Sequence, residues 1–99
     1  MTLPVVLRRA AQKEFDEAAD WYEEKRPNLG REFVHQVQRT FDRVCTNPGR
    51  CPVVFEDVRQ CIVDRFPYSI LFQVEPKRIV ILAVFHHRRN PSVWKQRVR

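Results

Sequence analysis

Seven consecutive apolar residues, "IVILAVF" at 79–85, constrain this chain most. The run is far short of the ~20 residues that cross a bilayer, and its β-branched content reads as a strand. Strand geometry sends alternate side chains to opposite faces. By that alternation Ile79, Ile81, Ala83 and Phe85 face one way, and Val80, Leu82 and Val84 face the other. Both faces are therefore apolar, and both need cover. Two helices can cover one. The other is closed either by the chain's own Trp94 segment or by a partner, and the residues leave that choice open.

The rest of the chain supplies the two helices. "TLPVVLR" (2–8) reads as a short strand, and Pro4, which has no N–H, places it at an edge. From Arg9 the period changes: Ala11, Phe15, Ala18 and Tyr22 form one helical stripe, and Phe33, Val37, Phe41 and Val44 form a second. "RPNLG" (26–30) separates them and "TNPGRCP" (46–52) ends the second, giving an antiparallel helical hairpin. Then come "PVVFEDV" (52–58), "RQCIVDRF" (59–66), "YSILFQVE" (68–75) and "RIVILAVFHH" (78–87), with Pro76-Lys77 as a tight turn. Asn90 as N-cap and Pro91 at the first position announce a short C-terminal helix through "SVWKQR". The expectation is one α+β domain over residues 1–99. An N-terminal strand and a helical hairpin pack on a small antiparallel sheet in the order β-α-α-β-β-β, with a short C-terminal helix.

Charge is segregated along this plan. The chain carries a net +6. Residues 9–44 hold seven basic and eight acidic groups (7 − 8 = −1), residues 50–99 hold ten basic and four acidic (10 − 4 = +6), and Arg8 adds +1. The second half thus carries the electrostatic footprint for an anionic partner. It is densest in "HHRRNPSVWKQRVR" (86–99), with two histidines, four arginines and a lysine attached to the end of the apolar strand. The N-terminus reaches arginine after too little apolar sequence for a secretory signal, so a cytoplasmic protein with no membrane contact is expected. Cys45, Cys51 and Cys61 contain no C-x-x-C pair; a zinc site with His86 matches no trusted spacing, and reduced thiols with no metal are expected.

Taken together, "AADWYE" (18–23), "RFPYSI" (65–70) and "AVFHHRRNPSVW" (83–94), in that order and separation, resemble toxins of the RelE/ParE superfamily of type II toxin–antitoxin modules, the plasmid-stabilising toxins. The similarity runs from about Leu7 to Arg97. It implies a helical hairpin on an antiparallel sheet, in agreement with the periodicity. It also implies a cognate antitoxin, bound in a hetero-oligomer, whose extended segment lays apolar and acidic groups over the toxin. Operator DNA would be met only through that antitoxin. No cofactor is implied.

The superfamily divides by target. RelE-like members cut ribosome-bound mRNA, which needs a base, an acid and cations around one phosphate. Under that reading the catalytic residues are Arg65, His87 and Arg89, with Arg65 expected on a short strand facing the His-Arg end. Histidine titrates near neutrality, and arginine clamps phosphate. Strand alternation sends His86 and His87 to opposite faces, so one of them at most shares a site with Arg65. The bland alternative leaves one histidine against Trp94 and the other solvated. The chain has only four lysines, and Trp94 stands where ribonuclease relatives carry a tyrosine.

ParE-like members instead bind and inhibit DNA gyrase, and Trp21 beside the first helical stripe is the stronger pointer to that mode. The residues expected to touch antitoxin or target are Trp21, Arg59, Val80, Leu82, Val84, Arg88, Trp94 and Arg97, with Arg99 beyond them. The sequence leans to the ParE-like mode. A ribosome-dependent RNase is the first alternative and a plain nucleic-acid-binding module the second; the latter has a basic excess but no recognition helix or stacking-aromatic pattern.

Overall fold

The computed structural model describes residues 2–98, and Arg99 lies outside them. The elements are β1 (Val5–Leu7), α1 (Arg9–Lys25), α2 (Leu29–Thr46), a 3₁₀ turn at Pro48–Arg50, β2 (Val53–Phe55), β3 (Val58–Ile62), β4 (Tyr68–Val74), β5 (Ile79–His86) and α3 (Ser92–Lys95). The five strands form one sheet in the order β1-β5-β4-β3-β2. The β2-to-β5 meander is antiparallel, as expected. β1 is at an edge, but it joins β5 in parallel, so the whole sheet is mixed. "PVVFEDV" does not run into the next segment either: a turn at Glu56-Asp57, with Glu56 at φ 50°, makes β2 and β3 a separate hairpin.

The two helical stripes face the sheet as their spacing requires. Ala11, Ala18, Phe33, Val37 and Val44 are buried against Ile70, Phe72, Ile79, Ile81 and Val84. Each large side chain so buried contributes about 1.5–3 kcal/mol. The helices meet closely at the turn, where Asn28 takes the left-handed φ of 72°. A Cβ on Gly30 would come within 2.5 Å of the Ala19 carbonyl oxygen, so only glycine allows this approach. Glu23 ties the turn: its carboxylate accepts the Asn28 amide at 2.9 Å and the Gly30 amide at 3.0 Å, serving N–H groups that the start of α2 would leave unpaired.

The chain closes the sheet's other face itself. Phe55, Val58, Leu71, Val80, Leu82, Ala83 and Phe85 pack with Trp94 of α3, which is buried, and with Val98. The N-cap is Pro91 and the helix starts at Ser92, one residue later than expected; Asn90 Oδ1 accepts the Ser92 amide at 2.9 Å in the turn before it.

Strict alternation fails on β5. Leu71 pairs with Ala83 while the next residue, Phe72, pairs with Ile81, so Leu82 is an extra residue in the ladder. Beyond this bulge the parity inverts. Val84 joins Ile79 and Ile81 on the helix face, and Ala83 and Phe85 join Val80 and Leu82 under Trp94.

Candidate functional site

The bulge brings together the residues that shape the chain's basic end. β1 pairs with β5 only as far as Ile81, and beyond it two charged side chains take backbone groups of β5. Glu14 of α1 accepts the Val84 amide at 3.1 Å, and Arg97 donates to the Leu82 carbonyl at 2.9 Å. The same two residues pair with each other, Arg97 Nη2 to Glu14 Oε2 at 2.8 Å and Nη1 to Oε1 at 3.0 Å. Arg89 adds a second cation at 2.8 Å and lies over the Phe85 ring, 4.6 Å from its centroid. The Glu14 and Arg97 side chains are only 12% and 19% exposed, so this bidentate pair is largely removed from water. Arg97 is thus a brace rather than a contact surface. Nothing in the sequence around Glu14 marked it for this role.

Beside the brace a groove of roughly 610 Å³ opens between α1 and the sheet. Glu17, Ala18, Trp21 and Tyr22 form the α1 wall; Pro67, Tyr68 and Val84 form the floor; His86, Arg88 and Arg89 form the far wall. Its aromatic floor follows from the "FPY" break between β3 and β4. Phe66 and Tyr68 dock on the hairpin, with Tyr22–Phe66 centroids at 4.9 Å and Phe33–Tyr68 at 5.0 Å. Trp21 stands at the rim, 54% exposed, its ring edge-on to Tyr22 and covered on one side by the Lys25 ammonium at 4.7 Å. Burial pushes both tyrosine hydroxyls upward; for Tyr68 the proximity of Tyr22 adds to it, so both stay protonated at neutral pH.

His86 and His87 do face opposite sides. His86 packs edge-on against Tyr68 at 5.0 Å, and its Nδ1 accepts the Arg88 amide at 3.0 Å. Desolvation first, then the Arg88 charge and the neighbouring His87, hold it below the ordinary histidine range, so the ring is neutral at pH 7. His87 is exposed, on the Ser69 side, with Nε2 2.8 Å from the Ser69 hydroxyl.

The structure relocates most of the residues expected to act. Arg65 is not on a strand: it sits in the turn after β3 at φ 71° and pairs with Glu32 at 3.1 Å. Arg65, His87 and Arg89 each have a different partner, and among the described residues no hydrogen bond or ion pair joins any two of them. Val80 and Leu82 are buried under α3 and Trp94 is the cover itself, so none of these three offers a free surface, while Val84 is buried against the helices and meets the groove only as part of its floor. Arg59 is spent on the Cys51 carbonyl at 2.7 Å. Trp21 and Arg88 remain exposed, and they share the groove.

No group of three or more His, Cys, Asp or Glu side chains able to hold a metal occurs among the described residues. No helix among them is long and apolar enough to cross a membrane.

Comparison with known proteins gives the fold a context. A solved structure titled "Chromosomal ParDE TA system from P. aeruginosa" contains a chain that superposes with a TM-score of 0.75, at 21% identity, over 86% of this chain and 96% of that one. Among curated proteins none matches. The family model described as "ParE toxin of type II toxin-antitoxin system, parDE" matches residues 5–91, spanning every element of the helical hairpin and sheet. The chain therefore belongs to the ParE toxin family of type II toxin–antitoxin systems.

Proposed function

We propose that this toxin arrests growth by binding a protein target, DNA gyrase, and that a cognate antitoxin neutralises it by covering the same groove. The observation that carries this reading is Trp21, more than half exposed at the rim of an aromatic-floored groove, with Arg88 on the opposite wall. A large aromatic and an arginine flanking a preformed cleft are the residue types that dominate protein–protein affinity. An extended acidic segment with apolar anchors, as expected of an antitoxin, suits the groove's floor and its Arg88 wall.

The cations give independent support. RNA cleavage would need base, acid and cations converging on one phosphate. Here Arg65 is engaged by Glu32 and Arg89 by Glu14, on separate parts of the surface.

The test uses toxin freed from its antitoxin and shown to arrest growth when expressed. It is added to a gyrase supercoiling assay and, in parallel, to ribosomes stalled on an end-labelled mRNA. The expected result is loss of supercoiling with intact mRNA, weakened about tenfold or more by Trp21→Ala or Arg88→Ala. Cleavage in the decoding site would overturn this reading in favour of a ribosome-dependent RNase.

A further inference from the structure

Cys51 and Cys61 occupy facing positions at the sheet's outer edge. In the β2–β3 ladder Val53 pairs with Arg59, and the Gln60 amide donates to the Pro52 carbonyl at 3.0 Å. Continuing that antiparallel register by one residue sets Cys51 opposite Cys61. Pro52 and Gln60 form the hydrogen-bonded pair, so Cys51 and Cys61 fall on the non-hydrogen-bonded site. There Cα atoms approach to about 4.5 Å and side chains lie closest. A disulfide spans Cα separations of about 4.4–6.8 Å, which includes this one.

The side chains agree with the backbone. Cys61 pairs with Ile70, a residue of the helix-side core, and Cys51 packs in that same core. Both cysteines border one cavity of roughly 500 Å³ between the end of α2 and the hairpin. Burial, and then the neighbouring Cys61 thiol, push the Cys51 thiol up to about 12. All three cysteines are free thiols. Cys45 is placed differently, on α2, with its Sγ directed at the Asp42 carbonyl at 3.3 Å.

We infer that Cys51 and Cys61 are a thiol–disulfide modification site, closed by exchange with a low-molecular-weight disulfide such as oxidised glutathione. Exposure sets the order of events. Cys61 is partly exposed and Cys51 is buried. The Cys61 thiolate attacks one glutathione sulfur, a mixed disulfide forms, and one glutathione leaves. The Cys51 sulfur then attacks the Cys61 sulfur, the mixed bond breaks, and the second glutathione leaves. The two protein thiols are oxidised to one disulfide, the glutathione disulfide is reduced to two thiols, and both protons end on the released glutathiones. The product closes residues 51–61 into a ring and pins the start of β2, with the Arg50 turn behind it, onto β3.

The full-length protein itself supplies the test. It is incubated with oxidised glutathione, its remaining thiols are alkylated, and it is digested with trypsin without reduction. Trypsin places each cysteine on its own peptide: 44–50 for Cys45, 51–59 for Cys51 and 60–65 for Cys61. The expected product joins peptides 51–59 and 60–65, leaves peptide 44–50 alkylated, and lowers reactive thiols from three to one (3 − 2 = 1). Cys45→Ser should give the same link, and Cys61→Ser should leave Cys51 unmodified. Three results would each overturn the assignment: a lasting glutathione adduct on Cys61 without the link, a link through Cys45, or full thiol retention in folded protein under conditions that oxidise the urea-unfolded chain.

Discussion

Glu14 determines how much of the chain's basic end is structural and how much is free to recognise a partner. It binds Arg97 in two places, Arg89 in one, and the Val84 amide at the bulge. Glu14→Gln keeps the shape and removes the charge. It leaves a mostly desolvated Arg97 without a counter-ion, so a loss of about 2–4 kcal/mol is expected in urea unfolding at pH 7. A loss under 0.5 kcal/mol would show that the pair is solvated after all. The sequence could not reveal this residue. Glu14 sits among other acids on a polar helix face, and its partners lie 70 to 83 positions away. Glu23 is equally hidden, one acid in the run of charges that ends α1. Its carboxylate is held below the ordinary range, first by the Asn28 amide and then by the Gly30 and Arg31 amides and the Arg31 charge. A depressed folded pKa stabilises above the unfolded value and ceases to do so as pH falls through the folded one. Wild type should therefore exceed Glu23→Gln in stability at pH 7, and the gap between their urea midpoints should narrow as pH drops below 4.5. A gap independent of pH would mean that the carboxylate's charge contributes nothing to the cap.

Elements were far more legible than their side-chain networks. Both helical stripes, the Pro4 edge, the Pro76-Lys77 turn and the Asn90 turn before α3 follow from period and local turn chemistry, which act within a few residues. The bulge at Leu82 did not, because an extra residue in a uniformly apolar strand leaves no compositional trace. It carries Val84 to the helix face and Ala83 and Phe85 to the other, against strict alternation. The left-handed turn at Arg65 was invisible for a similar reason: neither glycine nor asparagine marks it. The fate of the second sheet face turned on a choice the residues left open, and α3 takes it. Trp94→Ala should cost about 2–4 kcal/mol, near the low end for a buried aromatic because a four-residue terminal helix can relax, and should raise binding of a hydrophobic dye as Val80 and Leu82 become accessible. Unchanged dye binding would mean that another segment covers this face. At the helix crossing, Gly30→Ala forces a Cβ into the Ala19 carbonyl and should cost about 1–3 kcal/mol in the same assay.

At the scale of the whole molecule, charge and apolar surface meet in the groove. Part of the positive charge is offset internally: Arg89 and Arg97 share the single charge of Glu14, and Arg65 shares Glu32 with Arg26. Arg88 forms no ion pair among the described residues, and the His86 beside it is neutral at pH 7. The groove thus presents arginine charge on one wall and the Trp21 face on the other. If the groove is the recognition surface, as proposed, these two act at different moments of binding. A solvated charge steers an acidic partner during approach and is screened by salt, whereas an aromatic anchor acts only once water has left the contact. For an acidic partner captured in this groove, Arg88→Ala should therefore slow association several-fold at low salt, converge with wild type near 0.5 M salt, and leave dissociation nearly unchanged. Trp21→Ala should do the reverse, speeding dissociation about tenfold or more at every salt concentration. Stopped-flow binding of the cognate antitoxin separates the two rates directly. If both variants change neither rate while remaining folded, the groove is not the recognition surface. If Arg88→Ala acts on dissociation alone, its guanidinium is buried in the complex as a paired contact and does not steer the approach.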